Sequence, residues 1–120
     1  MNCNLGNWSS FCEVILNTQI NLEFWASYQY HLMWSYFDRS DVGLKKIAEF
    51  FKKSSDEERE HAHKLMEYQN MRGGKVVLED IKNINLDFLY VENAGNDVIA
   101  SFKKALDMEQ KVYAHLLQVH

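Results

Sequence analysis

The segment from Leu44 to Tyr68 carries its apolar residues at alternating steps of three and four positions. Such positions fall along one side of a helix, so this spacing predicts a long amphipathic helix that packs against other helices. We call that line of residues the seam of the helix; here it consists of Leu44, Ile47, Phe51, Ser54, Glu58, His61, Leu65 and Tyr68. A carboxylate and an imidazole, Glu58 and His61, therefore stand where a bundle would bury apolar side chains.

Glu58 and His61 form a Glu-x-x-His pair, whose side chains lie about one turn apart on the same helix face. Their oxygen and nitrogen atoms can converge on one ion. Surface carboxylates on helices usually have a cation three or four residues away, as Glu60 has Lys64. Glu58 has only small neutral residues and His61 at those offsets. By itself a Glu-x-x-His pair is typical of a solvated charged face or a surface ion pair. A buried carboxylate without a cation is costly or stays protonated, however, and metal coordination is one way to avoid that cost.

A first long helix is predicted from Ser10 to about Asp38, because Ser10-Phe11-Cys12-Glu13 has the form of a capping box and no breaker follows it. Glu23 interrupts its apolar seam, again without a cation at the pairing offsets. Tyr30 follows one heptad later on the same face, either as an ordinary core aromatic whose hydroxyl finds some acceptor or as part of the site. The seam consists of Leu16, Ile20, Glu23, Ser27, Tyr30, Trp34 and Phe37.

The second helix is predicted to run from Val42 or Leu44 to Arg72, with Gly73-Gly74 as its stop. The short connection before it requires the first two helices to lie antiparallel. Residues 75 to about 93 show no sustained helical period, although the first four could be briefly extended. A connection of that length can cross the whole bundle and return to its starting end.

The third helix is predicted to open near Asn93 to Asp97, and Glu109 stands on its seam without a cation three or four residues away. Its seam consists of Val98, Phe102, Ala105, Glu109, Val112, Leu116 and Val119. One uncompensated carboxylate on each of three seams predicts a shared metal site. Oxygen ligands with one imidazole suit iron or manganese better than structural zinc. A Glu on one helix and Glu-x-x-His on the next is typical of di-iron carboxylate bundles, in which the central Glu58 could bridge two ions.

Composition narrows the class of protein further. A chain of 120 residues predicts one domain, 1–120, and the absence of proline favours long helices. The net charge of -4 argues against a nucleic-acid partner, and no stretch is long and apolar enough to predict a membrane span. The start shows no signal peptide, and Cys3 and Cys12 form no motif. We therefore expect free thiols in a reducing cytosol, and a cytoplasmic protein.

Several motifs resemble eukaryotic ferritin of the iron-oxidising heavy-chain type, over a stretch from about Trp8 to the end of the chain. These are Gln19-Ile20-Asn21-Leu22-Glu23, Ala26-Ser27-Tyr28, Tyr36-Phe37-Asp38-Arg39, Glu57-Glu58-Arg59-Glu60-His61-Ala62, Lys64-Leu65-Met66 and Gln69-Asn70-Met71-Arg72-Gly73-Gly74. The resemblance implies a ferroxidase that oxidises Fe(II) to Fe(III) with dioxygen at a site holding two iron ions. The ions then leave as ferric mineral for storage.

The resemblance also implies roles for individual residues. Glu23, Glu58 and His61 would hold one iron, Glu58 and Glu109 the second, and Tyr30 would support the site through a hydrogen bond. Carboxylates facing the mineral cavity are implied at two further positions, Glu57 and Glu60. Another di-iron oxygenase or a rubrerythrin-like peroxidase would normally carry a second Glu-x-x-His on its last helix, and Glu109 is followed by Val112 instead.

The chain ends at His120, where the predicted third helix is still running. By the resemblance, a fourth and a fifth helix are absent, and the single ferritin-like domain is C-terminally incomplete. We therefore expect a homo-oligomer or co-assembly with full-length ferritin subunits. The alternative function is a non-catalytic truncated subunit or interaction module that binds ferritin chains or itself.

Overall fold

Three long helices make up most of the computed structural model, which describes Cys3, residues 8–90 and residues 96–119. They are α1 (Ser10–Asp38), α2 (Lys45–Met71) and α3 (Asp97–Val119). A single turn of 3-10 helix at Asp87–Tyr90 lies in the crossover, and the described ranges contain no strand. The predicted all-α class, with a long crossover between the second and third helices, is confirmed.

None of the helices in the described part of the chain carries an apolar stretch long enough to cross a lipid bilayer.

The start of α1 is set by Ser9. Its side-chain oxygen accepts a hydrogen bond from the backbone N–H of Cys12 at 3.2 Å. The predicted capping box at Ser10 is therefore wrong by one position, because either serine precedes the apolar run and spacing alone does not choose between them. The predicted end of this helix at Asp38 is confirmed.

A disulfide joins Cys3 to Cys12, with their Cα atoms 5.6 Å apart. The expectation of free thiols is wrong, because Cys3 lies against the first turn of α1 and a separation of nine residues gave no sign of this. Trp8, between the two cysteines, packs against the last turns of α2. Its indole N–H donates to Gln69 Oε1 at 2.8 Å, and its ring meets the Tyr68 ring edge to face. Cys3 is thus tied to α1 and Trp8 to α2.

α1 and α2 form an antiparallel pair, as the short connection between them predicts. At one end the Gln69 amide donates to the Glu13 carbonyl at 2.9 Å, and at the other the Phe37 and Phe51 rings stack. Gly73 follows α2 with a φ of +85°, the left-handed conformation that suits glycine at a helix end. The predicted stop at this position is therefore confirmed.

The crossover runs along α1 in the same direction as that helix and is held by three side-chain amides. Asn17 donates to the carbonyl of Lys75 at 2.9 Å and accepts from the N–H of Val77 at 3.1 Å. Asn21 makes the same two kinds of hydrogen bond two residues farther along the crossover. It donates to the carbonyl of Val77 at 2.9 Å and accepts from the N–H of Glu79 at 2.8 Å.

Farther along, Gln29 bonds both backbone groups of Asn85. We call Asn17, Asn21 and Gln29 the amide ladder, because their side chains supply the hydrogen bonds that a neighbouring strand would otherwise give. The crossover thereby carries the chain to the C-terminal end of α1. There the Tyr36 hydroxyl donates to the carboxylate of Asp97, the first residue of α3. α3 then runs back antiparallel to α1.

α3 buries one flank of its predicted seam and exposes the other. Ala105, Met108 and Val112 belong to the core cluster formed with α1 and α2. Phe102 touches the Phe50 and Phe51 rings and is still 39% exposed. We call the apolar residues of the exposed flank the open stripe: Ile99, Phe102, Leu106, Tyr113 and Leu117. The predicted seam therefore lies at the border between a covered and an uncovered surface.

Candidate metal centre

Three of the predicted site residues meet where α1 and α2 face each other. One ligand atom from each of Glu23, Glu58 and His61 lies within 4.8 Å of the other two. His61 Nδ1 is 3.7 Å from Glu23 Oε2 and 3.7 Å from Glu58 Oε2. Among the described residues, no other group of three His, Cys, Asp or Glu side chains comes this close together.

The two carboxylates are buried, and each keeps an unpaired oxygen. Glu23 is 3% exposed and Glu58 5%, whereas the His61 side chain is 55% exposed. Neither Glu23 Oε2 nor Glu58 Oε2 has a hydrogen-bond partner. An unpaired buried carboxylate oxygen is costly unless a proton or a cation neutralises it. The unpaired oxygens are also the ones that face His61 Nδ1, so the donor set fits a divalent cation.

Glu109 reaches the same centre from α3. Its Oε1 accepts a hydrogen bond from the Tyr30 hydroxyl at 2.8 Å. Burial, followed by this hydrogen bond, raises the pKa of Tyr30 far above its ordinary value, so the hydroxyl keeps its proton and remains a donor. Glu109 itself is exposed because it stands beside the open stripe. Of the four predicted ligands, Glu109 and His61 are exposed, whereas Glu23 and Glu58 are buried.

Glu58 interacts with both of the other carboxylates. Burial, together with the neighbouring carboxylates of Glu23 and Glu109, raises the pKa of Glu58 to about 10. The central carboxyl therefore holds a proton at neutral pH whenever no cation is bound. Glu58 therefore lies between two carboxylate neighbours, Glu23 and Glu109.

The other two predicted residues lie apart from this cluster. Glu57 and Glu60 are exposed on α2, with side chains 58% and 62% accessible. Glu57 is 4.0 Å from Lys53, and Glu60 is 4.0 Å from His63. Exposed pairs at such distances contribute little to stability, so both carboxylates remain available to ions in solution.

Gln19, which was not among the predicted site residues, anchors Glu23. It is fully buried, and its Nε2 donates to Glu23 Oε1 at 3.0 Å. The anchor uses one carboxylate oxygen and leaves Oε2 facing His61. Its position four residues before Glu23 places it on the same helix face, which is the signal that the sequence offered.

Comparison with known proteins identifies the fold and the family. The model of a ferritin-like domain matches residues 13–120. A chloroplastic ferritin of Malus baccata var. xiaojinensis is 52% identical over 114 residues, which is 95% of this chain and 45% of that protein. The middle ferritin subunit of Aquarana catesbeiana is 48% identical over 95% of this chain and 61% of its own length. The chain therefore spans about half the length of these curated relatives.

A solved structure shows the same arrangement of helices. The crystal structure of ferritin from the green alga Ulva pertusa superposes with a TM-score of 0.85 at 40% identity, covering 92% of this chain and 56% of that one. The cytoplasmic location expected from composition is wrong, because the Malus ferritin and several other plant relatives are named chloroplastic, which points to a plastid. With its matched domain, its helix arrangement and these relatives, the chain belongs to the ferritin family.

Proposed function

We propose that this chain takes part in iron storage as a ferroxidase subunit, which binds Fe(II) and oxidises it to Fe(III) with dioxygen for deposition as ferric mineral. The observation that carries the proposal is the pair of buried, unpaired oxygens on Glu23 and Glu58 beside His61. Ferritins as a family store iron, so the substrate follows from the family and the place of reaction from this cluster.

Two iron ions would share the centre. We assign the first to Glu23, Glu58 and His61, and the second to Glu58 and Glu109. Carboxylate oxygens and one imidazole suit iron in both oxidation states and leave coordination positions open for dioxygen. In the reaction, each Fe(II) loses one electron to dioxygen.

The side chains of this chain prepare the centre for that reaction. Glu58, with its pKa raised to about 10, gives up its proton when a cation arrives, so the carboxylates face positive charge instead of one another. The Tyr30 hydroxyl holds Glu109 Oε1 and leaves its second oxygen for the metal. Glu57 and Glu60, both exposed, would attract Fe(III) as it leaves and help the mineral to nucleate.

The open stripe supports a proposal about assembly. Leu106 is 62% exposed, Tyr113 62% and Leu117 58%, and these apolar side chains lie along one flank of α3. Apolar surface of this kind is stabilised by burial against another helix. We propose that residues 1–120 form one ferritin-like domain whose open stripe is covered in a homo-oligomer or in co-assembly with full-length ferritin subunits.

The open stripe also favours the second candidate function, that of a non-catalytic partner for ferritin chains. Glu109 lies beside this stripe, so the second iron position is the one that depends on whatever covers it. In this alternative the chain binds other ferritin subunits or itself and oxidises no iron.

Iron oxidation distinguishes the two. The chain and a form extended by a ferritin-like fourth helix are loaded anaerobically with Fe(II) and then exposed to air. Fast oxidation that depends on Glu23, Glu58, His61 and Glu109 is expected for a ferroxidase, with a milder slowing in Tyr30→Phe. Oxidation by the extended form alone would favour the alternative for this chain. A His61→Ala protein as fast as its parent would contradict the role of His61 as a ligand.

A further inference from the structure

Gln19 connects the candidate metal centre to a residue that lies outside it. Its Nε2 uses both hydrogens, one on Glu23 Oε1 at 3.0 Å and one on the backbone carbonyl of Val112 at 3.2 Å. Its Oε1 meets Nδ1 of His115 on α3. The Gln19 side chain therefore bridges α1 and α3, and both hydrogens of its NH₂ group are engaged.

These contacts fix the orientation of the amide and the tautomer of the histidine. The carbonyl of Val112 can only accept, so the amide NH₂ must point toward Val112 and Glu23. The amide oxygen then faces His115, and since it too can only accept, Nδ1 of His115 must carry the proton. Burial lowers the pKa of His115, which favours the neutral ring with this single N–H.

We propose that His115 is a positioning residue for the metal centre: its N–H holds the Gln19 amide, which holds the Glu23 carboxylate with Oε2 facing the ion. This inference rests on the proposed function, because it assumes that Glu23 is a ligand. Among the described residues, no hydrogen bond or ion pair joins His115 to a predicted ligand, so it acts through Gln19. Such outer partners orient ligating groups and commonly change metal affinity 10- to 100-fold when removed, as an order of magnitude.

The location of His115 gives this contact a second consequence. The residue lies on α3 six positions beyond Glu109, so the bond to Gln19 fixes α3 against α1 close to the centre. A ligand on α1 and a ligand on α3 are thereby held at a set separation. Metal centres built from several helices require such support, because small errors in ligand spacing weaken binding.

A matched pair of variants tests the N–H. His115→Asn keeps a side-chain nitrogen at the same number of bonds from the backbone as Nδ1, and His115→Leu has the same branching without a donor. The probe is anaerobic Co(II), whose visible absorption reports coordination geometry and whose titration gives Kd. We expect the parent and His115→Asn to bind with similar Kd and spectrum. For His115→Leu we expect Kd to rise about 10- to 100-fold and the spectrum to change.

Either of two results would overturn the inference: an unchanged Kd and spectrum in His115→Leu, or equal damage in His115→Asn. Gln19→Met supplies a second test that stands even if His115→Leu does not fold, because it removes the amide and keeps the chain length of the side chain. It should weaken Co(II) binding to the same extent, and the double variant should be no worse than either single one. Additive losses would contradict a shared path.

Glu58→Ala separates this inference from the proposed function. If the parent binds Co(II) and Glu58→Ala does not, the metal centre stands, and the His115 variants then decide the inference alone. If the parent takes up no Co(II), or Glu58→Ala binds it equally well, the metal centre is refuted and the positioning role with it.

Discussion

Two polar contacts between α1 and α2 lie one helical turn apart. In the first, both hydroxyl groups have hydrogen-bond partners, and in the second, two carboxylate oxygens have none. At Ser27 and Ser55, each hydroxyl donates to the backbone carbonyl of the other residue at 2.7 Å. Four residues earlier on α1 and three later on α2, Glu23 and Glu58 each keep an unpaired buried oxygen. The packing of α1 against α2 therefore satisfies polar groups where hydrogen bonds suffice. The unpaired oxygens reflect the choice of side chain and not a loose interface.

In the part of the chain that the structure describes, one further buried side-chain atom has no partner, the Ser101 hydroxyl of α3. That group is neutral, so its desolvation costs less than that of a carboxylate. Nothing in the structure explains it. The pairing of two unsatisfied carboxylates with an imidazole distinguishes the candidate metal centre from such an isolated exception.

The largest expected effect is on the Zn(II)-induced rise in Tm, which should depend on Glu58 and not on Glu60, a neighbour that lies off the seam. Zn(II), a redox-silent substitute for iron, at about 100 times its Kd should stabilise the folded chain by about 2.7 kcal/mol, because it binds the native state alone. For a chain of this size that corresponds to a rise in Tm of roughly 10 °C, measured by thermal melts followed by circular dichroism.

Glu58→Ala should lose most of this rise, and Glu60→Ala, the matched control, should keep it. Equal effects of the two substitutions would show that the seam position of Glu58 has no bearing on metal binding.

Substitutions in the serine contact should lower the stability of the fold and leave the Zn(II) response unchanged. Ser27→Ala removes one hydrogen bond and leaves a buried partner group less well satisfied, which should cost about 1–2 kcal/mol in urea unfolding. Ser55→Ala should cost about the same, and a double-mutant cycle should show coupling on the order of 1 kcal/mol. Neither change should reduce the Zn(II)-induced rise in Tm. A lost metal response in Ser27→Ala would mean that the two contacts are not separable.

A smaller effect is expected when the pH is changed by one unit, and it is measured as a change in Zn(II) affinity. With its pKa raised to about 10, Glu58 is protonated in the metal-free chain at neutral pH, so a proton competes with the metal. Raising the pH removes that competitor, and Zn(II) affinity should rise by about tenfold, or roughly 1.4 kcal/mol, per unit between about pH 7 and about pH 8.5.

Calorimetry in buffers of different ionisation enthalpy should accordingly detect the release of about one proton per ion from this carboxyl. Glu58→Gln, which has no proton to release there, is the control. An affinity that does not change with pH would contradict the protonated state of Glu58.

Helical spacing predicted the parts of the molecule that depend on a fixed rotation per residue. It placed Glu23 and Glu58 on the buried sides of α1 and α2, where the structure has them. It could not indicate how much of each seam would be covered, because coverage depends on which helices pack together. Glu109 is exposed for that reason.

Contacts that depend on tertiary packing also lay beyond prediction. The bond from Gln19 to His115 and the disulfide between Cys3 and Cys12 depend on how separate segments meet in space. The predicted cellular location was wrong for a different reason. Composition constrains solubility and charge, but it does not specify a cellular compartment. The correction came from the plant relatives, whose names give a chloroplast location.

The amide ladder joins α1 to the extended crossover, and over part of its length the two rise by nearly the same distance between contacts. This agreement limits where the crossover can gain or lose residues. Four residues of α-helix rise about 6 Å and two residues of extended chain about 6.6 Å, so the step from Asn17 to Asn21 keeps pace with residues 75–79. From Asn21 to Gln29 the helix rises only about 12 Å, and the crossover uses up its excess length near Asn83, where φ is +63°. One residue inserted within 75–79 would turn the wrong backbone groups toward α1. The same insertion near Asn83 would fall where the two repeats already disagree, so we expect it to disturb the contacts with α1 less than an insertion within 75–79.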